Sequence, residues 1–131
     1  MKNLLSGVML SLSMIASANA SPHLEITLSN QRFTLYDGKE IIREGRVSAA
    51  RPGYKTPRGI FSVQAKVPNA YSHKYHAPMP DSLFIYHSVA VHIGVVPKAA
   101  IGTSHGCIHV TSENGRYLFS VMRVGDQVIV K

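Results

Sequence analysis

From His23 onward the chain alternates polar and apolar residues over short spans, and turn-forming residues interrupt each span. A repeat of two suits a strand with one buried face and does not suit a helix. His23-Leu24-Glu25-Ile26-Thr27-Leu28 alternates in this way, as does Arg32-Phe33-Thr34-Leu35-Tyr36. Asp37-Gly38 marks a tight hairpin, and a strand through Ile41 to Ala49 is expected after it. Arg51-Pro52-Gly53 closes that strand. Thr56-Pro57-Arg58-Gly59 is a second turn, followed by a strand Ile60-Phe61-Ser62-Val63. Residues 68–82 hold three prolines and several Tyr and His, so an irregular loop is expected there. Two apolar runs follow, Leu83 to Tyr86 and Val89 to Ile93. One helix is expected, capped by Thr111 or Ser112, with Leu118, Val121 and Met122, beside Tyr117, on its core face. Gly125-Asp126 leads into a last strand, Gln127 to Val130. This pattern predicts a mainly β domain with one short helix.

The first twenty residues are expected to be an address rather than fold. Lys2 is followed by a largely apolar stretch from Leu4 to Ile15, and Ala18-Asn19-Ala20 has the small-x-small form of a secretory cleavage site. The stretch is too short and serine-rich for a membrane span, so no transmembrane span is expected in the mature protein. Residues 1–20 are therefore read as a signal peptide and residues 21–131 as one domain, periplasmic or secreted into the cell envelope. The remaining length supports a single core. No linker, low-complexity segment or repeat divides it.

The formal charge of +7 favours anionic partners. Nucleic acid is not expected among them, because the chain reads as exported and its Lys and Arg are scattered rather than clustered. Cysteine usage is more informative. A single cysteine, Cys107, cannot form an internal disulfide, and an odd thiol is a liability in an oxidising compartment. It is therefore either a buried inert side chain or a reactive one.

Its neighbours favour reactivity. A free thiol near neutral pH is only a few per cent thiolate, roughly, and an adjacent imidazole can accept its proton. His92 lies upstream in Val89-Ala90-Val91-His92-Ile93-Gly94. In an extended strand it shares a face with Ser88 and Ala90, opposite Val89, Val91 and Ile93. That face of small and polar groups would admit a substrate. Gly106, before the cysteine, would allow a close approach or a strained turn. Backbone N–H groups beside Cys107 could stabilise an oxyanion.

Ser104-His105-Gly106-Cys107-Ile108 resembles the signature of the L,D-transpeptidase catalytic domain family, usually S-H-G-C-I-R or S-H-G-C-x-N. Thr56-Pro57-Arg58-Gly59-Ile60-Phe61 is similar to that family's T-P-x-G-x-F turn, Met79-Pro80 to its M-P dipeptide, and Ala90-Val91-His92 to its A-I-H segment. The helix after the cysteine and Val124-Gly125-Asp126-Gln127-Val128 also fit. The matches occur in order and span roughly residues 24 to 130. The resemblance implies a mixed-sheet β sandwich or barrel whose cysteine opens into a peptide cleft, with no cofactor and no metal. It implies attack by Cys107 on a peptidoglycan stem peptide, release of terminal D-alanine, and transfer of the acyl group to an amine. His92 takes the place of the general base. Ser104, His105 and Gly106 would shape the pocket and orient the imidazole, and His109 and Met79 would contact substrate.

Three positions depart from the family pattern. His109 stands where Arg or Asn is usual, and an imidazole cannot form the bidentate clamp of a guanidinium. Eleven residues separate His92 from Ser104, fewer than the commonest spacing, as in shorter forms with an H-x-G segment. Asn114-Gly115 replaces the frequent Asp-Ala of the helix, at a modest cost in helix propensity. His87 is the rival base by spacing, although it shares the strand face of Val89 and Val91. His105, Cys107 and His109 alternate and could serve zinc together with His92 or His87. A wall-binding module with altered chemistry is a further alternative. Within the enzyme reading, the acceptor could be water (a carboxypeptidase), a stem-peptide amine, a lysine of an envelope protein, or a free D-amino acid.

Overall fold

The computed structural model describes residues 21–131. The signal peptide expected over residues 1–20 lies outside the described residues. The domain is built from strands β1 (Pro22–Thr27), β2 (Arg32–Asp37), β3 (Glu40–Ser48), β4 (Gly59–Ser62), β5 (Ala65–Ser72), β6 (Ala77–Tyr86), β7 (Val89–Ile93), β8 (Ile108–Val110) and β9 (Gln127–Val130). One helix, α1 (Ser112–Val121), lies between β8 and β9. Among the described residues the strands form one mixed sheet in the order β4-β9-β1-β2-β3-β8-β7-β6-β5. The β1–β9 and β7–β8 pairs are parallel; the others are antiparallel.

Strand β3 joins two halves of this sheet. Arg32 to Asp37 of β2 pair with its earlier residues, while Val47 and Ser48 at its end pair with Val110 and His109 of β8. The sheet curls until its two ends approach, and Phe61 of β4 meets Tyr86 of β6 with ring centroids 5.6 Å apart. Curling lets one core draw on strands from both halves of the sheet. Leu24 and Ile26, Phe33 and Leu35, Ile108 and Val110, and Val128 and Val130 all point into it at the expected period of two. Leu118 and Met122 close it from the helix side.

The helix is capped by Thr111, whose hydroxyl accepts from the Asn114 N–H at 3.4 Å. Asn114-Gly115 contributes more than a propensity cost. A Cβ at Gly115 would lie 2.3 Å from Ile93 Cγ1, so its absence lets the helix sit directly on β7. Asn114 Oδ1 meanwhile accepts from Arg43 Nε at 2.8 Å, tying the helix to β3.

The irregular loop expected over 68–82 is instead a hairpin of β5 and β6. Proline normally excludes a residue from a central strand because it cannot donate. Here Pro68 lies on the edge strand β5. Pro78 and Pro80 lie in a part of β6 that reaches beyond the residues paired with β7. Each therefore has a strand on one side only. Composition marked the prolines correctly, but only the sheet order showed that they were harmless.

Candidate active site

The turn before β8 carries Ser104 to Cys107, and hydrogen bonds hold it from several directions. Ser104 is buried; its hydroxyl donates to the Cys107 carbonyl at 2.5 Å and accepts from the Gly106 N–H at 3.0 Å. Gly106 has φ of +142°, a region that side-chain-bearing residues avoid. The Thr56 hydroxyl donates to the Gly106 carbonyl at 2.9 Å and accepts from the Ala50 N–H at 3.0 Å. Arg51 reaches the same turn, its guanidinium donating to the carbonyls of Thr103 and Ser104. The threonine of the T-P-R-G turn is thus a brace of the cysteine turn. Its pairing with Gly106 spans fifty residues of chain, so local sequence carried no sign of it.

Within this braced turn the sulfur itself is only weakly engaged. Cys107 Sγ accepts from the Ala90 N–H at 3.5 Å and approaches the Ser88 carbonyl at 3.7 Å. The thiol is half-buried, and burial raises its pKa more than the Ala90 N–H lowers it. The resting group is therefore a protonated thiol. The Gly106 N–H, an oxyanion donor by its sequence position, is committed to Ser104.

His92 stands on β7, next to β8 in parallel register, where it pairs with His109. It is only 5% exposed, because Ala90, Val91 and His92 are all buried in a strand flanked by β6 and β8. The open small-residue face expected from strand parity is thus more enclosed. His92 Nδ1 lies 2.7 Å from the Ile93 carbonyl. A carbonyl only accepts, so this bond places the ring proton on Nδ1 and leaves Nε2 as the acceptor. Burial pulls the pKa of His92 down to about 4, opposed by the Ile93 hydrogen bond and reinforced by His109. At neutral pH His92 is therefore a neutral imidazole and Cys107 a neutral thiol, so no ion pair is preformed between them.

The other residues singled out by sequence take varied places. His105 does not line up with Cys107 and His109 on one strand face. Its ring stacks on Tyr75 at 3.8 Å and 2°, with Tyr54 edge-on at 4.9 Å, so the β5–β6 hairpin tip rests on the cysteine turn. His109 packs its ring against His92, centroids 4.8 Å apart. Met79 is 7% exposed on β6, buried but outside the main core cluster. His87 sits exposed in the β6–β7 turn with φ of 48°, edge-on to Tyr86. The described residues hold no cluster of three His, Cys, Asp or Glu side chains placed to share a metal ion. Neither tyrosine contact was legible locally: Tyr75 lies in a hairpin that proline content concealed, and Tyr54 of the β3–β4 connection meets His105 across a long stretch of chain.

Two surface concavities flank these elements. One, of about 420 Å³, lies between Ile60, Phe61, Tyr86 and Gln127. The other, of about 570 Å³, runs from Gln31 and Ala50 to Tyr54, Lys55 and Arg58, beside the turn that Thr56 braces. Cys107 and His92 line neither.

Comparison with known proteins agrees with this architecture. The family description for the L,D-transpeptidase catalytic domain matches residues 21–130. An L,D-transpeptidase from Stackebrandtia nassauensis has a similar fold with TM-score 0.79 at 20% identity, over 86% of this chain and 56% of that one. One from Mycobacterium smegmatis gives 0.79 at 24% identity, over 86% and 59%. L,D-transpeptidase 3 from Mycobacterium tuberculosis, solved with a faropenem-derived adduct, gives 0.79 at 19% identity, over 86% and 60%. No curated protein sequence matches. This chain belongs to the L,D-transpeptidase catalytic domain family. It spans less than two thirds of the length of these solved relatives.

Proposed function

We propose that this chain is an exported L,D-transpeptidase of the periplasm or cell envelope, acting on peptidoglycan stem peptides with Cys107 as nucleophile and His92 as general base. The observation that carries the reading is the contrast at the cysteine turn. Thr56, Ser104 and Arg51 hold its backbone, while the sulfur keeps only two long contacts. A structural thiol would be packed away; this one is positioned and unoccupied.

The neutral pair defines the steps. Sγ attacks the carbonyl carbon of the residue before the terminal D-alanine as its proton passes to Nε2 of His92. The tetrahedral intermediate then breaks its C–N bond. The proton moves from His92 to the leaving amine, and D-alanine departs from a Cys107 thioester. An acceptor amine attacks the thioester, gives a proton to His92, and leaves as an amide while the thiol is restored. The acceptor is a stem-peptide amine in this reading, or a lysine of an envelope protein. No cofactor enters these steps.

Charge supports the substrate class. Between Gly45 and Ser112 the chain has one carboxylate, Asp81, against seven Lys and Arg. This stretch includes the cysteine turn, β7 and the groove lined by Lys55 and Arg58. Stem peptides carry free carboxylates, and a field of one sign concentrates such ligands.

The test is mass spectrometry of the mature protein with tetrapeptide muropeptides, beside Cys107→Ala. The expected result is D-alanine release and a thioester adduct on the wild type alone, with cross-linked dimers as product. Free tripeptide instead would make it a carboxypeptidase. Intact substrate with both proteins, under conditions where another family member works, would overturn the reading.

A further inference from the structure

His109 occupies the position two after the cysteine, and its surroundings form a built seat for an imidazole. In the β7–β8 register it is the direct partner of His92, and the two rings meet edge to face at 4.8 Å and 64°. Its Nδ1 lies 3.1 Å from the Val95 carbonyl, which restrains rotation of the ring. The ring also covers Gly94, where a Cβ would lie 2.6 Å from His109 Cγ. Only a residue without a side chain leaves room for it.

We propose that His109 is a positioning residue of this site, acting through His92: it buttresses the ring of the base and shapes the surroundings in which that ring takes up and gives up its proton. The role rests on the assignment of His92 made above. The groups that face His109 are His92 from β7, Arg51 from the β3–β4 connection and His105 from the cysteine turn. None of them is a carboxylate. A proton on His109 would have no counter-charge, and burial followed by the nearby cations holds its pKa below that of an ordinary histidine. At neutral pH the ring is therefore uncharged, and it opposes a proton on His92 only as the pH falls. A guanidinium in this seat would oppose the imidazolium that the reaction forms.

The test compares His109→Gln and His109→Arg with the wild type by two readouts. One is the imidazole titration of His92 followed by NMR, which needs no turnover. The other is the pH profile of kcat/KM for D-alanine release. With glutamine, which carries no charge at any pH, the His92 midpoint should rise and the acid limb should move up with it. With arginine, both should move down. Gly94→Ala, which pushes against the ring and leaves its chemistry intact, should lower kcat with little change in KM. A His92 midpoint that stays at the wild-type value in both folded His109 variants would overturn the proposal. Shifted midpoints with no D-alanine released by any form would overturn the assigned reaction and leave the His109–His92 coupling standing.

Discussion

Strands β1 and β2 differ from β7 in how they use burial. On β1 and β2 the alternation is clean, with Leu24, Ile26, Phe33 and Leu35 fully buried and their neighbours partly exposed. On β7, three consecutive residues are buried, and one of them is a histidine. The first arrangement yields stability. The second spends stability to hold a titratable ring out of water, where its pKa drops and it remains a neutral imidazole. Leu24, Ile26, Phe33 and Leu35 thus serve the core alone, whereas His92 is buried and titratable, and substitutions in the two places should fail differently.

The largest effect should come from the chemical side. Cys107→Ala should abolish adduct formation and D-alanine release while leaving the unfolding transition close to wild type, as mass spectrometry and a thermal melt would show. His92→Gln should follow, with kcat lower by about 10²–10⁴-fold, the usual contribution of a positioned general base. Retention of near-normal kcat in that variant would transfer the role to His87 and erase the contrast between the strands.

On the cohesive side, Leu35→Ala should cost about 3 kcal/mol in denaturant unfolding and leave kcat per folded molecule unchanged. Burial of His92 predicts a pH effect of comparable size. Its folded pKa of about 4 lies below the ordinary 6.5, so the folded state prefers it neutral. That contribution is complete above pH 6.5 and is lost as pH falls towards 4. The loss amounts to about 3 kcal/mol. The steepness of acid destabilisation over this window should fall in His92→Gln. The smallest effect belongs to the brace between the halves. Thr56→Val should cost about 1 kcal/mol and lower kcat more than KM, because it loosens the turn without touching substrate.

Much of this was readable along the chain wherever the governing contact is local. The Asp37-Gly38 hairpin, the alternation of Leu24 with Ile26, and the Thr111 cap each depend on residues a few positions apart. The S-H-G-C run and its companion motifs identified the family for the same reason, since a motif is a local string. The β5–β6 hairpin was not readable, because whether Pro78 and Pro80 break a strand depends on which side of that strand has a neighbour.

The sequence alone determined the strand periodicity, the helix after Cys107, the family, and Cys107 and His92 as the residues to watch. Tertiary structure decided everything that depends on distant parts of the chain meeting. It joined Thr56 to Gly106, laid Tyr75 on His105, and set His109 against His92. It also turned an ordinary histidine into a buried neutral imidazole, because desolvation depends on what packs around a group and not on what precedes it in sequence.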